Sequence, residues 1–409
     1  MRPASRYPHP VPTTTRRVRL DHRATLAGSY VGFVTQAIVN NLGPLLFLIW
    51  HESFGIGFGA IGLIVSVNFG VQLLTDAVSP PLIDKVGYRA AMVFAHVIAA
   101  AGLVALGVLP FVLPSPYLGL VVAMVIGAVG GGLLEVMVSP VVEALPTQNK
   151  AFHMSLLHSF YCWGLVAVVA LSTVGFVLLG HDRWPLLCFA WALVPALNAV
   201  LLCFVPYYTL VEEGAAMGYR DLLRQGVFWL LILLMAAAGA SELSMSQWAS
   251  AYAQAGLGLD KTTGDLMGPM AFSITMGLAR VIFGARATTT NVARIIMWCL
   301  GLCIVSYLLA AFGPWPWLGL VGVIACGFSV GILWPGTFTL SQRVFRRGGT
   351  VMFALLALGG DAGAAIGPAV VGQVADATGS LADGIAVGTV FPVLMLAGAL
   401  VLTRRLTAR

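Results

Sequence analysis

Twelve apolar stretches, each long enough to cross a bilayer, follow one another along this chain, and 20 of its 22 Lys and Arg residues fall on one side of the resulting zigzag. A spanning helix needs about 20 mostly apolar residues. Charge-free runs here are much longer and must be split by turns. The run from Ala90 to Leu134 breaks where Pro110, Pro114 and Pro116 cluster, and the run from Ile295 to Gln342 breaks at Gly313-Pro314-Trp315-Pro316-Trp317, because clustered Pro and Gly punctuate helices. The spans predicted on this basis are 24–50, 57–81, 88–109, 116–143, 151–179, 184–206, 227–255, 264–284, 290–312, 317–342, 348–375 and 383–403.

Only Arg183 and Lys261 fall outside the basic side. A wrong helix count would scramble such a bias, which is the one that topology imposes on cytoplasmic loops. Both termini are therefore expected in the cytoplasm, with the protein in the plasma membrane of a bacterium. The net charge of +6 is then a topological signal and calls for no nucleic-acid partner. With 59% hydrophobic and 9% charged residues, a water-solvated surface cannot be built. Residues 1–23 are rich in Arg, Pro and Thr, lack a cleavage site and read as a disordered cytoplasmic tail. All six cysteines fall in predicted spans without a metal-binding spacing and read as packing residues. No P-loop, GxSxG elbow or HExxH motif is present, which argues against an enzyme, against ATP-driven transport and against a cofactor.

The longest polar segment, 207–226, carries Glu212, Glu213, Arg220, Asp221 and Arg224 and divides the chain into six-helix halves, 24–206 and 227–403, with residues 404–409 as a cytoplasmic end. Pro140 in the fourth span and Pro335 in the tenth sit at equivalent depths, and the helices after them align Gly164 with Gly363. The fold class expected is an all-α membrane protein of twelve helices in two bundles.

An ionisable group inside a span costs about 2.5–3.5 kcal/mol on insertion scales, so each is a functional candidate. Asp76, Glu135, Glu242 and Asp361 are four such acids. No Lys or Arg is expected deep in a span beside them, although Arg280, near the end of the eighth, approaches from the cytoplasmic side. Burial without a countercharge favours the protonated form of a carboxyl in general, the property that a proton-coupling site requires. Glu242, Ser246 and Gln247 share a helical face, with Trp248 and Tyr252 on an adjacent one. Hydroxyl-rich solutes need that mixture of amide, carboxylate and aromatic surface; an interfacial aromatic belt is the other reading of Trp248 and Tyr252. His96, in a third helix, reads as structural.

Two motifs carry a resemblance. Ser79-Pro80-Pro81-Leu82-Ile83-Asp84-Lys85-Val86-Gly87-Tyr88-Arg89 resembles the cytoplasmic signature of the major facilitator superfamily, with Asp84, Lys85, Gly87 and Arg89 as the gating residues and Pro80 where the family usually has Gly. Gly130-Gly131-Gly132-Leu133-Leu134-Glu135, followed by Pro140, resembles the fourth helix of the superfamily's fucose permease branch. Asn40-Asn41, His158-Ser159-Phe160-Tyr161, Trp334-Pro335 and Gly359-Gly360-Asp361 extend the likeness along the chain. The resemblance implies two halves rocking around a central site in a single chain that works as a monomer. It implies Glu135 as the substrate and proton carboxyl, with Asn40, Asn41, His158, Gln247, Trp248 and Trp334 around the substrate. The branch's acid after the paired Asn is replaced by Gly43-Pro44, which leaves proton coupling to Glu135, Glu242 or Asp361, or leaves transport uncoupled. The function expected is import of a sugar or similar polyhydroxylated solute with protons, with export of drugs or metabolites as the alternative.

Overall fold

A computed structural model describes residues 20–147, 150–208, 217–286, 291–345 and 348–407. The basic tail up to Arg19, residues 209–216 of the polar segment, Arg346, Arg347 and the side chain of Asp84 lie outside the described residues. Within them, twelve helices are long and apolar enough to cross a membrane. They are α1 (His22–Phe54), α2 (Phe58–Ser79), α3 (Tyr88–Val112), α4 (Pro116–Ala144), α5 (Leu156–Leu179), α6 (His181–Leu202), α7 (Gly226–Gly256), α8 (Lys261–Phe283), α9 (Val292–Phe312), α10 (Pro316–Val344), α11 (Val351–Thr378) and α12 (Leu381–Arg404). Each boundary lies within five residues of the sequence expectation. The Pro and Gly clusters supply the breaks: Pro116 and Pro316 stand at the first turns of α4 and α10, where a missing N–H costs nothing.

Several spans are interrupted inside. Gly43-Pro44 opens a short 3-10 turn in α1. Tyr252–Gly256 in α7 and Leu266–Met270 in α8 are π-helical turns, the second around Pro269. Cys203 lies one residue beyond α6 and is exposed, so it is not one of the packed cysteines.

The helices form two six-helix halves. In the first, α3 packs on α4 and α6, and α1 on α4 and α5; in the second, α7 packs on α11 and α12, and α10 on α8 and α9. Glycine sets the closest crossings. A Cβ at Gly363 would lie 1.8 Å from the Ala236 carbonyl oxygen of α7, and one at Gly164 would lie 3.1 Å from Val34 Cα of α1. Each of these aligned glycines thus serves the crossing of a fifth helix on the first helix of its own half, which gives the weak sequence repeat a structural meaning. The halves meet along α2 against α11, α5 against α8, and α1 against α7.

Candidate functional site

On the face opposite the termini the halves are sealed. Trp248 is fully buried, its ring 5.4 Å from that of Phe47 and 5.8 Å from that of Phe58, and its Nε1 donates to the Pro368 carbonyl at 3.0 Å. It therefore presents no stacking face to a solute. Tyr252 is equally buried and donates to the Ala310 carbonyl, so neither residue forms an aromatic belt. Gln247 Nε2 reaches the Asn40 carbonyl at 3.4 Å, and Ser66 Oγ donates to the Ala365 carbonyl at 2.6 Å. Lys261, which sequence reasoning treated only as a topological exception, sits inside this seal. Its Nζ is 2.9 Å from Asp265, donates to the Leu45 carbonyl at 2.7 Å, and lies 4.5 Å from the Phe176 ring centre. Asp265 also accepts from Ser250. A Lys-x-x-x-Asp pair at helical spacing was the available signal.

Two clusters of ionisable side chains lie between the halves. The first joins Asp76 of α2, Glu135 of α4 and Asp361 of α11, each with a carboxylate oxygen within 4.8 Å of the others. Close helix approach makes the cluster: a Cβ at Gly132 would stand 3.0 Å from the Gln72 carbonyl and 3.1 Å from Asp76 Oδ1. Gln36, buried on α1, donates through Nε2 to Glu135 Oε2 at 2.7 Å. The all-oxygen donor set also suits a hard cation.

The second cluster joins Glu242 of α7 to Arg280 of α8, with 3.6 Å between Oε1 and Nη2. Arg280 Nη1 points at Cys162 Sγ of α5, at 3.3 Å. Arg280 thus approaches an interior acid from near the end of α8, as the sequence led one to expect. Its side chain, together with those of His158, Tyr161, Glu135 and Trp334, keeps solvent access within the interior.

The remaining candidates divide. Asn41 donates to the Tyr161 hydroxyl at 3.2 Å and borders the second cluster. Trp334 lies against the backbone of Gly360, beside Asp361, with Nε1 unpartnered. His158 packs its ring 5.2 Å from that of Phe33 and stays exposed. Asn40 is instead held in a buried amide network, accepting at Oδ1 from Gln72 at 2.8 Å and from Asn68 at 3.3 Å. Gln36 belongs to the site although the sequence did not point to it, Arg280 was named there only as a cation near the end of its span, and Asp76 stood out only as one interior acid of four. Distant helices must meet in three dimensions before these side chains form clusters.

At the motif loop, the α2 helix runs on to Val86 and ends on Gly87 at φ +84°. Lys85 is exposed. Arg89 donates to the Val205 carbonyl at 2.9 Å and lies 5.7 Å from the Tyr207 ring centre, tying the start of α3 to the end of α6. His96 accepts at Nε2 from Asn198 at 2.8 Å while Nδ1 meets the Met92 carbonyl, a buried structural role as expected.

The sequence profile of the Major Facilitator Superfamily matches residues 29–368. The chain belongs to the major facilitator superfamily. Superfamily members are transporters, and a polar, charged cleft between two six-helix halves accords with that. Among solved structures, a bacterial homolog of the human lysosomal transporter Spinster, in an inward-facing and occupied conformation, superposes with a TM-score of 0.76 at 13% identity, covering 95% of this chain and 98% of that one. A variant of the Escherichia coli fucose:proton symporter FucP superposes with a TM-score of 0.62 at 16% identity, covering 92% and 98%. Both likenesses establish the fold. A search of curated proteins returned no match.

Proposed function

We propose that this major facilitator protein imports a small polyhydroxylated solute together with protons by alternating access, without altering the solute chemically. The chain acts as a monomer in the plasma membrane, with both termini cytoplasmic. The observation that carries the reading is the carboxyl cluster of Asp76, Glu135 and Asp361. It takes acids from both halves and lies where α2 and α11 meet. Opening the seam between α2 and α11 parts Asp361 from Asp76 and Glu135, so the protonation state of the cluster and the position of the halves are linked. Polar side chains around Glu242, namely Asn41, Tyr161 and His158, supply partners for hydroxyl groups. The activity printed for FucP is compatible with this reading.

The test follows external pH in lightly buffered anaerobic cells expressing the protein as hexoses, deoxyhexoses, pentoses and sugar acids are added singly. Alkalinisation by one of them, lost in Glu135→Gln while counterflow of labelled solute persists, is the expected result. Solute accumulation that is unchanged in Glu135→Gln would refute the proton role. Accumulation driven by sodium rather than protons would turn the same carboxyls into a cation site.

A further inference from the structure

Arg280 is poorly matched to its surroundings. A guanidinium carries five N–H donors in a planar fork. Two of its groups here face sulfur, Cys162 Sγ at 3.3 Å and Met276 Sδ at 3.7 Å, which are weak acceptors. Its one charged partner among the described residues, Glu242, stands at 3.6 Å, outside hydrogen-bond range. Arg280 Nε and Glu242 Oε2 are both buried without a partner. Interior charges of this kind are normally saturated by hydrogen bonds, because leaving them short is costly. The deficit is open to solute, since 23% of the Arg280 side chain is exposed and neighbouring His158 is exposed too.

We propose that Arg280 binds the carboxylate of the transported solute, which makes the substrate a polyhydroxylated monocarboxylic acid of the sugar-acid class rather than a neutral sugar. The inference rests on the transporter reading above and deepens it. A carboxylate fits the guanidinium fork with two parallel hydrogen bonds, which neither sulfur nor Glu242 at its present distance supplies. Solute hydroxyls then meet Tyr161 and Asn41 on the α1–α5 side.

Charge balance gives the binding event a second part. Arg280 and Glu242 are together neutral. A carboxylate that takes over Arg280 leaves Glu242 as an uncompensated charge in a low-dielectric interior, and one proton on Glu242 restores the balance. Solute anion and proton then enter as a pair with no change in the charge of the site. The other titratable groups facing the pair are His158, Tyr161 and Cys162 from α5 and Cys326 from α10. None of them supplies a second fixed cation. A dianion such as a phosphate ester would need one.

The experiment uses the full chain in proteoliposomes at pH 6 and measures counterflow of labelled D-glucuronate, D-gluconate, D-glucose and L-fucose. Wild type is expected to carry at least one of the two acids with an initial rate about tenfold or more above either neutral sugar, the size of a lost charged hydrogen bond. Arg280→Gln is expected to lose about tenfold or more of that rate, and Arg280→Lys to recover part of it. Transport of glucose or fucose with no transport of, or competition by, either acid would overturn the inference while leaving the transporter reading intact. Silence for all four solutes would remove both. Should Arg280→Gln fail to fold, the melting temperature of detergent-purified wild type decides: a rise with glucuronate or gluconate but not with glucose supports the site, and equal responses to acid and neutral sugars overturn it.

Discussion

Lys261 offers a measurable test of how the sealed face is held. Only 6% of its side chain is exposed, and its two contacts with the first half, the hydrogen bond to the Leu45 carbonyl and the approach to the Phe176 ring, exist only while this face is closed. Removing the lysine alone would strand Asp265 as a buried charge, so the informative variant is Lys261→Met with Asp265→Asn, in which Ser250 still has an oxygen to bond. A hydrogen bond to a charged group contributes about 1.5–3 kcal/mol and a desolvated cation–π contact up to about 2 kcal/mol. Losses overlap, and about 2–4 kcal/mol is a fair sum, which moves the closed-to-open equilibrium by roughly 30- to 900-fold toward opening of this face. Spin labels at Ser53 and Ala255, both exposed at the ends of α1 and α7, with Cys203→Ser to remove the exposed native thiol, report the separation by pulsed EPR. The expected result is growth of a long-distance population absent from the parent. An unchanged distance distribution in the double variant would refute the latch.

Three further outcomes follow from close packing and buried hydrogen bonds. Gly363→Ala drives a methyl into the Ala236 carbonyl and should cost about 1–3 kcal/mol, read as a lower melting temperature in detergent. Gly87→Ala meets no neighbour within 4 Å yet must hold φ +84°, so backbone strain alone should cost about 1–3 kcal/mol; full stability in that variant would mean that the loop relaxes. Asn198→Leu leaves the Gly28 carbonyl and His96 Nε2 without a donor in the first half and should destabilise it by about 1–3 kcal/mol, while a His96→Leu, Asn198→Leu pair should recover part of the loss, because it removes the ring nitrogen together with its donor.

The twelve spans were legible because bilayer thickness fixes helix length and the charges between spans fix their side. Proline and glycine clusters then placed the breaks. The interior acids were legible one at a time, since each is costly alone in a span. Their grouping was not. Asp76, Glu135 and Asp361 meet because glycines on α4 and the α2–α11 seam set helix rotation and depth, quantities that the order of residues does not encode locally. For the same reason Glu242 was separated from Asp361 only in three dimensions, where it pairs with Arg280. Trp248 illustrates the reverse error: an aromatic beside polar residues on α7 resembles a stacking surface, yet helix rotation turns it into the seal against Phe47 and Phe58.

α11 carries more of this protein's working parts than any other helix named above. Gly363 locks it to α7, Gly360 supports Trp334, Asp361 completes the carboxyl cluster, and Pro368 and Ala365 accept hydrogen bonds in the seal. These sites are spread along one rigid rod, so a tilt that opens one end displaces the others in the same stroke. The rod ends in an exposed turn at Thr378 and Ser380. A ligand clamping that turn, far from the carboxyl cluster, would hold the seal, the cluster and the Trp334 contact still together, which makes the α11–α12 corner a place from which the whole rod could be arrested at a distance.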